Sequence, residues 1–315
     1  MSAIIKLLKN PAKIICVLDK WNLSKFVPDK IYLKLQYRAT MGRQLDLKAP
    51  KSINEKLQWL KLYDRKPEYT RMVDKYEAKS YVAERIGQEY IIPTLGVWDR
   101  VEDIDFDALP DQFVLKCTHD SGGLVVCRDK SQLNIEEVKN KLRKSLNKNF
   151  YYDYREWPYK NIQRRIMAEK YMEENCSMSD SVPQGLIDYK FYCFNGEPRF
   201  LYVSKGLEDH STAAISFITM DWQFAPYVRK DFKPFSEIPA RPVTFDRMVE
   251  VARELSAGKD FLRVDLYEID GKVYFSELTF FPSAGTMPFV DYKYDLEIGS
   301  MLRLTKNKRT NKRAR

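Results

Sequence analysis

The chain has 315 residues, of which 44% are hydrophobic and 31% are charged. This composition is typical of a globular protein with sizeable cores, and it excludes an intrinsically disordered chain. No apolar run approaches the roughly 18–20 residues that a membrane-spanning helix needs. The five cysteines follow no regular spacing, so we expect reduced thiols and a cytoplasmic protein.

The net charge of +9 is concentrated at the two ends of the chain. Residues 1–50 and residues 303–315 each carry a net charge of +7, which leaves residues 51–302 with −5. A nucleic-acid-binding body usually presents a basic face, so we expect no nucleic-acid partner. The basic ends fit contact with an anionic membrane surface or a solvated, disordered tail, and both interpretations stay open.

Three helices are predicted in the first part of the chain. Residues 3–21 place apolar side chains on one helical face and lysines on the other. This pattern suits either a membrane surface or docking on the protein itself. Residues 52–64 begin with Ser52 and Glu55, the spacing of a capping box. Residues 74–86 form the next helix, which Gly87 ends.

Beyond these helices the periodicity becomes that of strands and hairpins. Asn195-Gly196 predicts a tight turn between two strands. Helices and antiparallel hairpins in mixed order indicate an α+β fold, not a parallel doubly wound sheet. Strands are predicted within residues 89–99, 111–129, 164–173, 185–206, 213–229 and 261–285, and helices at 134–148 and 245–258.

Several common catalytic motifs do not occur in the sequence. There is no GxxxxGK[ST] phosphate loop, no GxGxxG after a strand, no GxSxG elbow, and no HExxH or CxxC metal spacing. The chain has only two histidines, His119 and His210. Hydride transfer, zinc-dependent hydrolysis and serine hydrolysis are therefore not expected.

A phosphate-binding pattern occurs near the middle of the chain. Lys116 ends a predicted strand, and Ser121-Gly122-Gly123 follows five residues later. Backbone N–H groups of a glycine turn can cradle phosphate oxygens, and a neighbouring lysine can bind the same phosphates. The alternative is an ordinary hairpin, because such turns are common between strands.

The hairpin of residues 261–285 carries two carboxylates, Asp265 and Glu277, among apolar residues. A two-residue loop would place them on opposite faces, because side chains alternate along a strand. We therefore predict a three-residue loop, 269–271, with Asp265 opposite Phe275 and Glu277 as its diagonal neighbour.

Carboxylates that share one face need a cation between them. Arg263 and Thr279 lie on the same face of the predicted hairpin. Oxygen ligands without histidine favour Mg²⁺. The alternative is a pair of surface carboxylates bound to lysines.

Five segments, in order, resemble ATP-grasp enzymes, and most closely the branch associated with teichuronopeptide and other bacterial surface-polysaccharide synthesis. They are SINEKLQWLKLYD, VDKYEAKSYV, FVLKCTHDSGG, DYKFYCFNGEP and FLRVDLYEIDGKVYFSELTF, within roughly residues 50–295. The resemblance implies an ATP-grasp fold with a small lid lobe, a C-terminal antiparallel-sheet lobe and ATP between them. The implied parts are an N-terminal helical region (1–70), the small lobe (71–175), the C-terminal lobe (176–302) and a basic tail (303–315).

The resemblance also implies how the nucleotide is held. ATP phosphates would contact Lys75 and Lys116. The flexible phosphate lid would consist of Ser121, Gly122 and Gly123. The adenine and ribose would lie against Glu169 and the backbone of Lys170, Tyr171 and Met172.

A second set of implied roles concerns metal and phosphoryl transfer. Asp265 and Glu277 would bind Mg²⁺, and Arg263 and Lys190 would steady the transferring phosphoryl group. Thr279 departs from the superfamily, in which an asparagine commonly stands two residues after the second acid. A hydroxyl is a poorer ligand than an amide oxygen, so a second metal ion would be bound through water or not at all.

The implied reaction is ATP-dependent ligation of a carboxylate to an amine through an acyl phosphate. The expected carboxylate is a uronic acid of an acidic glycan or lipid-linked glycan intermediate, and the expected amine is an amino acid. Two alternatives stay open: a glycan-modifying kinase or transferase using the same nucleotide site, and a non-catalytic glycan- or membrane-binding relative.

Overall fold

The computed structural model describes residues 10–120, 122–173, 186–205 and 214–305. Its helices and strands alternate in the mixed order that the sequence predicts, and the α+β class is confirmed. The helices are α1 (Ile14–Lys20), α2 (Asp29–Met41), α3 (Ile53–Tyr63), α4 (Glu68–Val73), α5 (Glu77–Ile86), α6 (Ile135–Leu146), α7 (Tyr151–Tyr154), α8 (Phe245–Ser256) and α9 (Tyr292–Met301).

The strands form two antiparallel sheets. The small sheet has the order β1-β4-β2-β3 and the large sheet the order β7-β6-β5-β8-β9. The strands are β1 (Thr94–Trp98), β2 (Phe113–Cys117), β3 (Leu124–Cys127), β4 (Ile166–Lys170), β5 (Asp188–Phe194), β6 (Glu197–Lys205), β7 (Ala214–Thr219), β8 (Phe261–Ile269) and β9 (Lys272–Thr279).

Local signals fix the ends of several elements. The capping box is present, since the Ser52 hydroxyl accepts from the Glu55 backbone N–H (3.2 Å) and Glu55 accepts from the Ser52 N–H (3.1 Å). Asn195 and Gly196 both take positive φ, 50° and 88°, in the turn between β5 and β6. The strand predicted over 213–229 ends at Thr219, and only isolated bridges follow.

Each sheet has its own hydrophobic core. One face of the large sheet packs on α8, where Met248, Val251 and Leu255 are buried. The small sheet packs on α6 through Val138 and Leu142. The opposite face of the large sheet carries Lys190, Arg263, Asp265, Glu277 and Thr279, because these residues alternate with the core residues along their strands.

The N-terminal helix predicted over residues 3–21 is only partly described. Residues 1–9 lie outside the described part, and α1 begins at Ile14 after a short 3₁₀ turn. Ile15 is fully buried against Tyr32, Leu33 and Tyr37 of α2. This face of the helix therefore docks on the protein itself. Within the described ranges, no helix is long and apolar enough to cross a membrane.

Candidate functional site

The hairpin of β8 and β9 differs from its prediction in loop and register. Ile269 pairs directly with Lys272, so the loop has two residues and the predicted three-residue loop is wrong. Asp270 and Gly271 both take positive φ, 51° and 69°, as a tight hairpin turn of the mirror-image type requires. A glycine at the second position makes this conformation accessible without a bulge at the turn.

A bulge inside the strands still brings the two carboxylates to one face. Asp265 pairs with Glu277 and Leu266 pairs with Phe275, so Ser276 is the extra residue. Asp265 is therefore directly opposite Glu277 and not opposite Phe275 as predicted. The sharing of one face is correct, but the cause is a bulge and not the length of the loop.

Arg263 holds the two carboxylates together. Its guanidinium donates to both oxygens of Asp265 (2.7 and 2.6 Å), to Glu277 Oε1 (2.9 Å) and to Thr279 Oγ1 (3.0 Å). Thr279 in turn donates to Glu277 Oε1 (2.8 Å). The sequence alternative of carboxylates paired with surface lysines does not describe this arrangement, since Asp265 is 0% exposed.

Lys190 adds a second cation to this face. It is opposite Asp265 on β5, and its ammonium lies 3.1 Å from Asp265 Oδ2 and 3.1 Å from Asp188 Oδ1. Burial disfavours its charged form, yet Asp265 and Asp188 hold the pKa of Lys190 above its ordinary value. Lys190 therefore stays a cation beside the two acids.

Asp265 and Glu277 differ in the direction in which their surroundings shift the carboxyl pKa. Burial raises the pKa of Asp265 in spite of the nearby Arg263 and Lys190. Partial burial acts in the same direction on Glu277, but Arg263, Lys75 and Lys190 lower its pKa to about 2. Glu277 is thus ionised throughout the neutral pH range.

The oxygen ligands on this face suit a metal ion that is bound together with substrate phosphates. Asp265 and Glu277 supply carboxylates on facing strands, and Thr279 supplies a hydroxyl. Within the described residues, no group of three or more His, Cys, Asp or Glu side chains could hold a metal. Mg²⁺ is commonly held by one or two carboxylates plus substrate phosphates, so the set fits Mg²⁺ without a complete protein cage.

On the small sheet, Glu169 is the centre of a buried charge cluster. It is a diagonal neighbour of Lys116 on the same face, because Glu169 pairs with Val114 and Lys116 pairs with Met167. It forms ion pairs with Lys116 and with Lys79 Nζ, the latter at 2.6 Å. Burial acts to raise the pKa of Glu169, but Lys116 and Lys79 hold it below its ordinary value.

Lys79 is a member of this cluster that the sequence prediction missed. It lies on α5 and also donates to Ile92 O (2.6 Å) and Thr94 Oγ1 (3.0 Å). Little in the sequence signals this position, because a lysine in a helix is usually exposed to solvent. Its contacts indicate that it positions Glu169 rather than contacting a ligand.

Lys75 connects the glycine turn with the large sheet. Its backbone N–H donates to Thr118 O (2.9 Å), and its ammonium donates to the carbonyl of Asp120. Its charge also lowers the pKa of Glu277 on the large sheet. Lys75 therefore bonds to the glycine turn and acts electrostatically on the predicted metal-binding face.

Within the glycine turn, Gly123 is closely packed and Gly122 has open space around it. Gly123 donates to Asp120 Oδ1 (3.0 Å), and a Cβ there would lie 2.6 Å from Cys117 Cβ. At Gly122 the nearest atom to such a Cβ is Asp120 Oδ2 at 3.9 Å. Ser121 lies outside the described residues. The flexible lid therefore remains a prediction.

The segment after β4 leaves the small sheet next to this cluster. Lys170 donates from its backbone to Pro93 O (3.0 Å), and the Tyr171 hydroxyl accepts from Arg128 Nε (3.1 Å). Met172 follows outside any strand. A cavity lined partly by Leu95, Lys170 and Tyr171 opens beside this segment.

Glu156 is a buried acid that the sequence prediction did not single out. It belongs to the aromatic-rich segment FYYDYREWPYK, residues 150–160. It is buried, and the charges of Glu277 and Arg263 act on it. Composition gave little signal, since a single acid among aromatic residues is ordinary in a folded connector.

Comparison with known proteins gives one family and several distant structures. The sequence matches the family model of TupA-like ATP-grasp proteins over residues 55–303. No curated protein matches it. D-Alanine–D-alanine ligase from Helicobacter pylori is 14% identical with a TM-score of 0.40, and the alignment covers 80% of this chain and 70% of the ligase.

Two further solved structures are similarly distant. D-Alanine–D-alanine ligase from Bacillus anthracis, complexed with ATP, is 14% identical with a TM-score of 0.37 over 66% of this chain and 53% of the ligase. The ATP-grasp ligase PsnB, complexed with a minimal precursor, is 10% identical with a TM-score of 0.36 over 71% of this chain and 58% of PsnB. This chain thus spans about half the length of the B. anthracis ligase.

The family match covers most of the chain, including Lys75, Lys116, Glu169, Asp265 and Glu277. It confirms the predicted ATP-grasp fold. The finer teichuronopeptide branch stays a prediction. This chain belongs to the TupA-like ATP-grasp family.

Proposed function

We propose that this protein is an ATP-dependent carboxylate–amine ligase that joins an amino acid to a uronic acid of a surface polysaccharide or its precursor. The main support is the arrangement of charged groups on the two sheets. Lys75 bonds to the glycine turn of the small sheet, and Arg263 holds the two carboxylates of the β8–β9 hairpin on one face of the large sheet. Such an arrangement suits neutralisation and orientation of a transferring phosphoryl group.

In this proposal the small sheet and its turns bind the nucleotide, and the large sheet holds the metal ion and the transferring phosphoryl group. Lys75, Lys116 and the glycine turn bind phosphates, while Glu169 and residues 170–172 face the adenine and ribose. Mg²⁺ would be held by Asp265, Glu277 and Thr279 and would neutralise phosphate charge when bound. Arg263 and Lys190 keep positive charge beside the phosphoryl group, since both are fixed by Asp265.

The proposed reaction has two steps. The substrate carboxylate attacks the terminal phosphorus of ATP, which gives an acyl phosphate and ADP. The amine then attacks the acyl carbon, and phosphate leaves with the electrons of the broken C–O bond. The protein contributes by orientation and by charge stabilisation.

The decisive experiment combines Mg·ATP with D-glucuronic or D-galacturonic acid and a mixture of amino acids. Release of ADP and phosphate together with a product mass increased by an amino acid, less water, would support the ligase. A product that gains a phosphate would indicate the kinase instead. Absence of Mg·ATP binding by calorimetry would indicate a non-catalytic relative.

We also propose that the protein is cytoplasmic and binds reversibly to the inner membrane face, where lipid-linked glycans are modified. A surface that we call the aromatic tip supports this. Its side chains are large, apolar and exposed: Trp21 (73%), Leu23 (50%), Phe26 (74%) and Ile31 (52%). Lys20, Lys25, Lys30 and Lys34 are exposed within the same short stretch. Aromatic rings with lysines around them suit an anionic lipid interface.

The acids of this stretch form hydrogen bonds with residues of the folded protein. The exposed charges of the stretch are therefore positive. Asp29 accepts from Arg65 (2.8 Å) and from the Tyr151 hydroxyl (2.7 Å). Asp19 accepts from the Tyr32 hydroxyl at 3.4 Å. The tip therefore combines apolar area and exposed lysines.

Replacing Trp21 and Phe26 together with alanine should weaken binding to vesicles of phosphatidylglycerol and phosphatidylcholine. Each side chain buries apolar area worth about 1.5–3 kcal/mol, so the double variant should lose roughly 100-fold in affinity or more. Vesicle sedimentation measures the effect. Val243→Ala, which removes an 84% exposed apolar side chain elsewhere, is the matched control.

The basic tail is tested separately by ending the chain after Thr305. Thr305 and Arg303 should be kept, because they hydrogen-bond to Asp260 and Asn195 of the folded body. The shorter chain lacks six of the seven cations of residues 303–315 and should bind anionic vesicles less tightly, with a smaller salt dependence. Equal binding by the two chains would show that the tail is a solvated end.

A further inference from the structure

Asp120 and Ser145 are two buried polar residues to which the proposed function assigns no role. Asp120 is 7% exposed and directly precedes the glycine turn, and Ser145 is 8% exposed and lies in the last turn of α6. Asp120 Oδ1 accepts from the Gly123 N–H (3.0 Å), and Asp120 Oδ2 accepts from the Ser145 hydroxyl. One carboxylate therefore connects the glycine turn with the helix that packs on the small sheet.

The glycine turn also packs directly against β2 and α6. The Gly123 carbonyl accepts from the Cys117 N–H (2.8 Å), which extends the pairing of β2 with β3 by one residue. A Cβ built on Gly123 would lie 2.6 Å from Ser145 Oγ and 2.6 Å from Cys117 Cβ, and real Cβ atoms essentially never come so close to their neighbours. The backbone of Gly123 is therefore held in contact with both elements.

His119 makes a second connection between this segment and the end of α6. Its ring is 1% exposed, and Nε2 lies 3.2 Å from Ser145 O and 3.1 Å from Lys148 O. Carbonyl oxygens only accept hydrogen bonds, so Nε2 carries the proton and donates to them. Two consecutive side chains, His119 and Asp120, thus join the residues before the glycine turn to the same helix end.

The orientation of the Asp120 carboxylate suits a position beside a phosphate-binding turn. A carboxylate whose oxygens faced the phosphates would repel them. Both oxygens of Asp120 instead accept from groups of the protein, Gly123 and Ser145. The Lys75 ammonium donates to the main-chain carbonyl of Asp120, which places a cation next to the turn. The Asp120 carboxylate is therefore engaged in shaping the turn and not available as a ligand for Mg²⁺.

Gly122 is the described part of the turn that can contact a ligand. It is exposed, and within the described ranges its N–H forms no hydrogen bond. The nearest atom to a Cβ built on Gly122 is Asp120 Oδ2 at 3.9 Å, so the space beside it is open. An exposed backbone N–H in such a turn can donate to a phosphate oxygen.

We propose that Asp120 and Ser145 are positioning residues that hold the glycine turn in the shape that binds the phosphates of ATP, with the Gly122 N–H as a donor. The inference rests on the nucleotide role in the proposed function. Ser145 acts through Asp120, and Asp120 acts through the Gly123 backbone, so neither side chain touches the nucleotide. A turn that is already held in its binding shape avoids the loss of affinity that ordering it on binding would cause.

The test measures the affinity of wild type, Ser145→Ala and Asp120→Ala for Mg·ATP and for AMP. Calorimetry gives the Kd of Mg·ATP, and displacement of a fluorescent ATP analogue gives the affinity for AMP, which lacks the β and γ phosphates. Both variants should bind Mg·ATP roughly 10-fold more weakly, the size expected for one lost hydrogen bond to a charged group, and should keep the affinity for AMP. Exposed Ser300→Ala, whose hydroxyl donates to Glu297 O (2.6 Å), is the matched control.

Asp120→Asn separates the shape of the turn from the charge of the carboxylate. The amide oxygen can still accept from the Gly123 N–H, and the amide NH₂ can donate to the Ser145 hydroxyl oxygen. This variant should therefore keep the wild-type affinity for Mg·ATP. Binding as weak as that of Asp120→Ala would show that the charge matters and not the contact, and would overturn the inference.

Two further results would also overturn it. Wild-type affinity for Mg·ATP in both alanine variants would show that the turn keeps its shape without this contact. Equal losses of affinity for Mg·ATP and AMP would show general damage to the small lobe. If Asp120→Ala does not fold, Ser145→Ala decides the outcome, because it removes a single hydroxyl group.

Failure of the proposed function has a different signature. Absence of Mg·ATP binding by the wild-type protein would overturn the nucleotide site and the inference with it. Nucleotide binding without amide formation from uronic acids and amino acids would overturn the ligase alone, because the inference concerns the binding of the phosphates.

Discussion

Glu277→Gln is expected to abolish ATP-dependent turnover while the protein stays folded. The variant loses an ionised oxygen ligand from the face that would hold Mg·ATP, and kcat should fall by at least about 100-fold. The fold should survive because the Glu277 side chain is 38% exposed and Arg263 keeps both bonds to Asp265. Initial-rate kinetics and circular dichroism measure the two effects, with Glu136→Gln as the surface control.

Asp265→Asn should differ from Glu277→Gln in stability. Repulsion between two carboxylates, considered alone, would predict that either substitution leaves the fold intact. The structure predicts otherwise for Asp265, which is fully buried and neutralises both Arg263 and Lys190. Breaking such a buried pair costs about 3–5 kcal/mol.

Urea unfolding of the two variants checks this difference. A stable Asp265→Asn protein would show that solvent or another group stabilises the charges of Arg263 and Lys190. Full activity of Glu277→Gln would remove Glu277 from the proposed metal site. Unfolding of Glu277→Gln at room temperature would make the pair structural.

Lys116→Ala should weaken ATP binding by about 1.5–3 kcal/mol, which corresponds to roughly 10–150-fold in Kd. The reason is the loss of a charged hydrogen bond to phosphate. Lys116 is the more exposed of the two lysines that pair with Glu169, with 20% of its side chain accessible against 10% for Lys79. Calorimetric titration with Mg·ATP measures the change, and exposed Lys272→Ala is the control.

Lys79→Ala distinguishes a phosphate contact from an indirect effect through Glu169. Both lysines neutralise this buried acid, so both variants should lose stability. The loss of ATP affinity should be much larger for Lys116→Ala. Equal losses would show that the effect passes through Glu169 and that Lys116 does not contact phosphate.

Local structure is predictable from the sequence where one short motif is sufficient. The capping box at Ser52 and the tight turn at Asn195-Gly196 are both present, because their hydrogen bonds and dihedral angles involve neighbouring residues only. The order of motifs also predicted the ATP-grasp fold, which the family match confirms. The roles of the individual site residues remain predictions.

Contacts between distant segments set how the two carboxylates meet and which other charges accompany them. The bulge at Ser276 depends on the pairing of β9 with β8, so the alternation of side chains alone could not reveal it. Lys79 reaches Glu169 through the packing of α5 on the small sheet. The charges of Arg263 and Glu277 act on buried Glu156 from more than one hundred positions away along the chain. Such contacts form when elements distant in sequence pack together. They leave no periodic signal within either segment, so the sequence pattern alone does not reveal them.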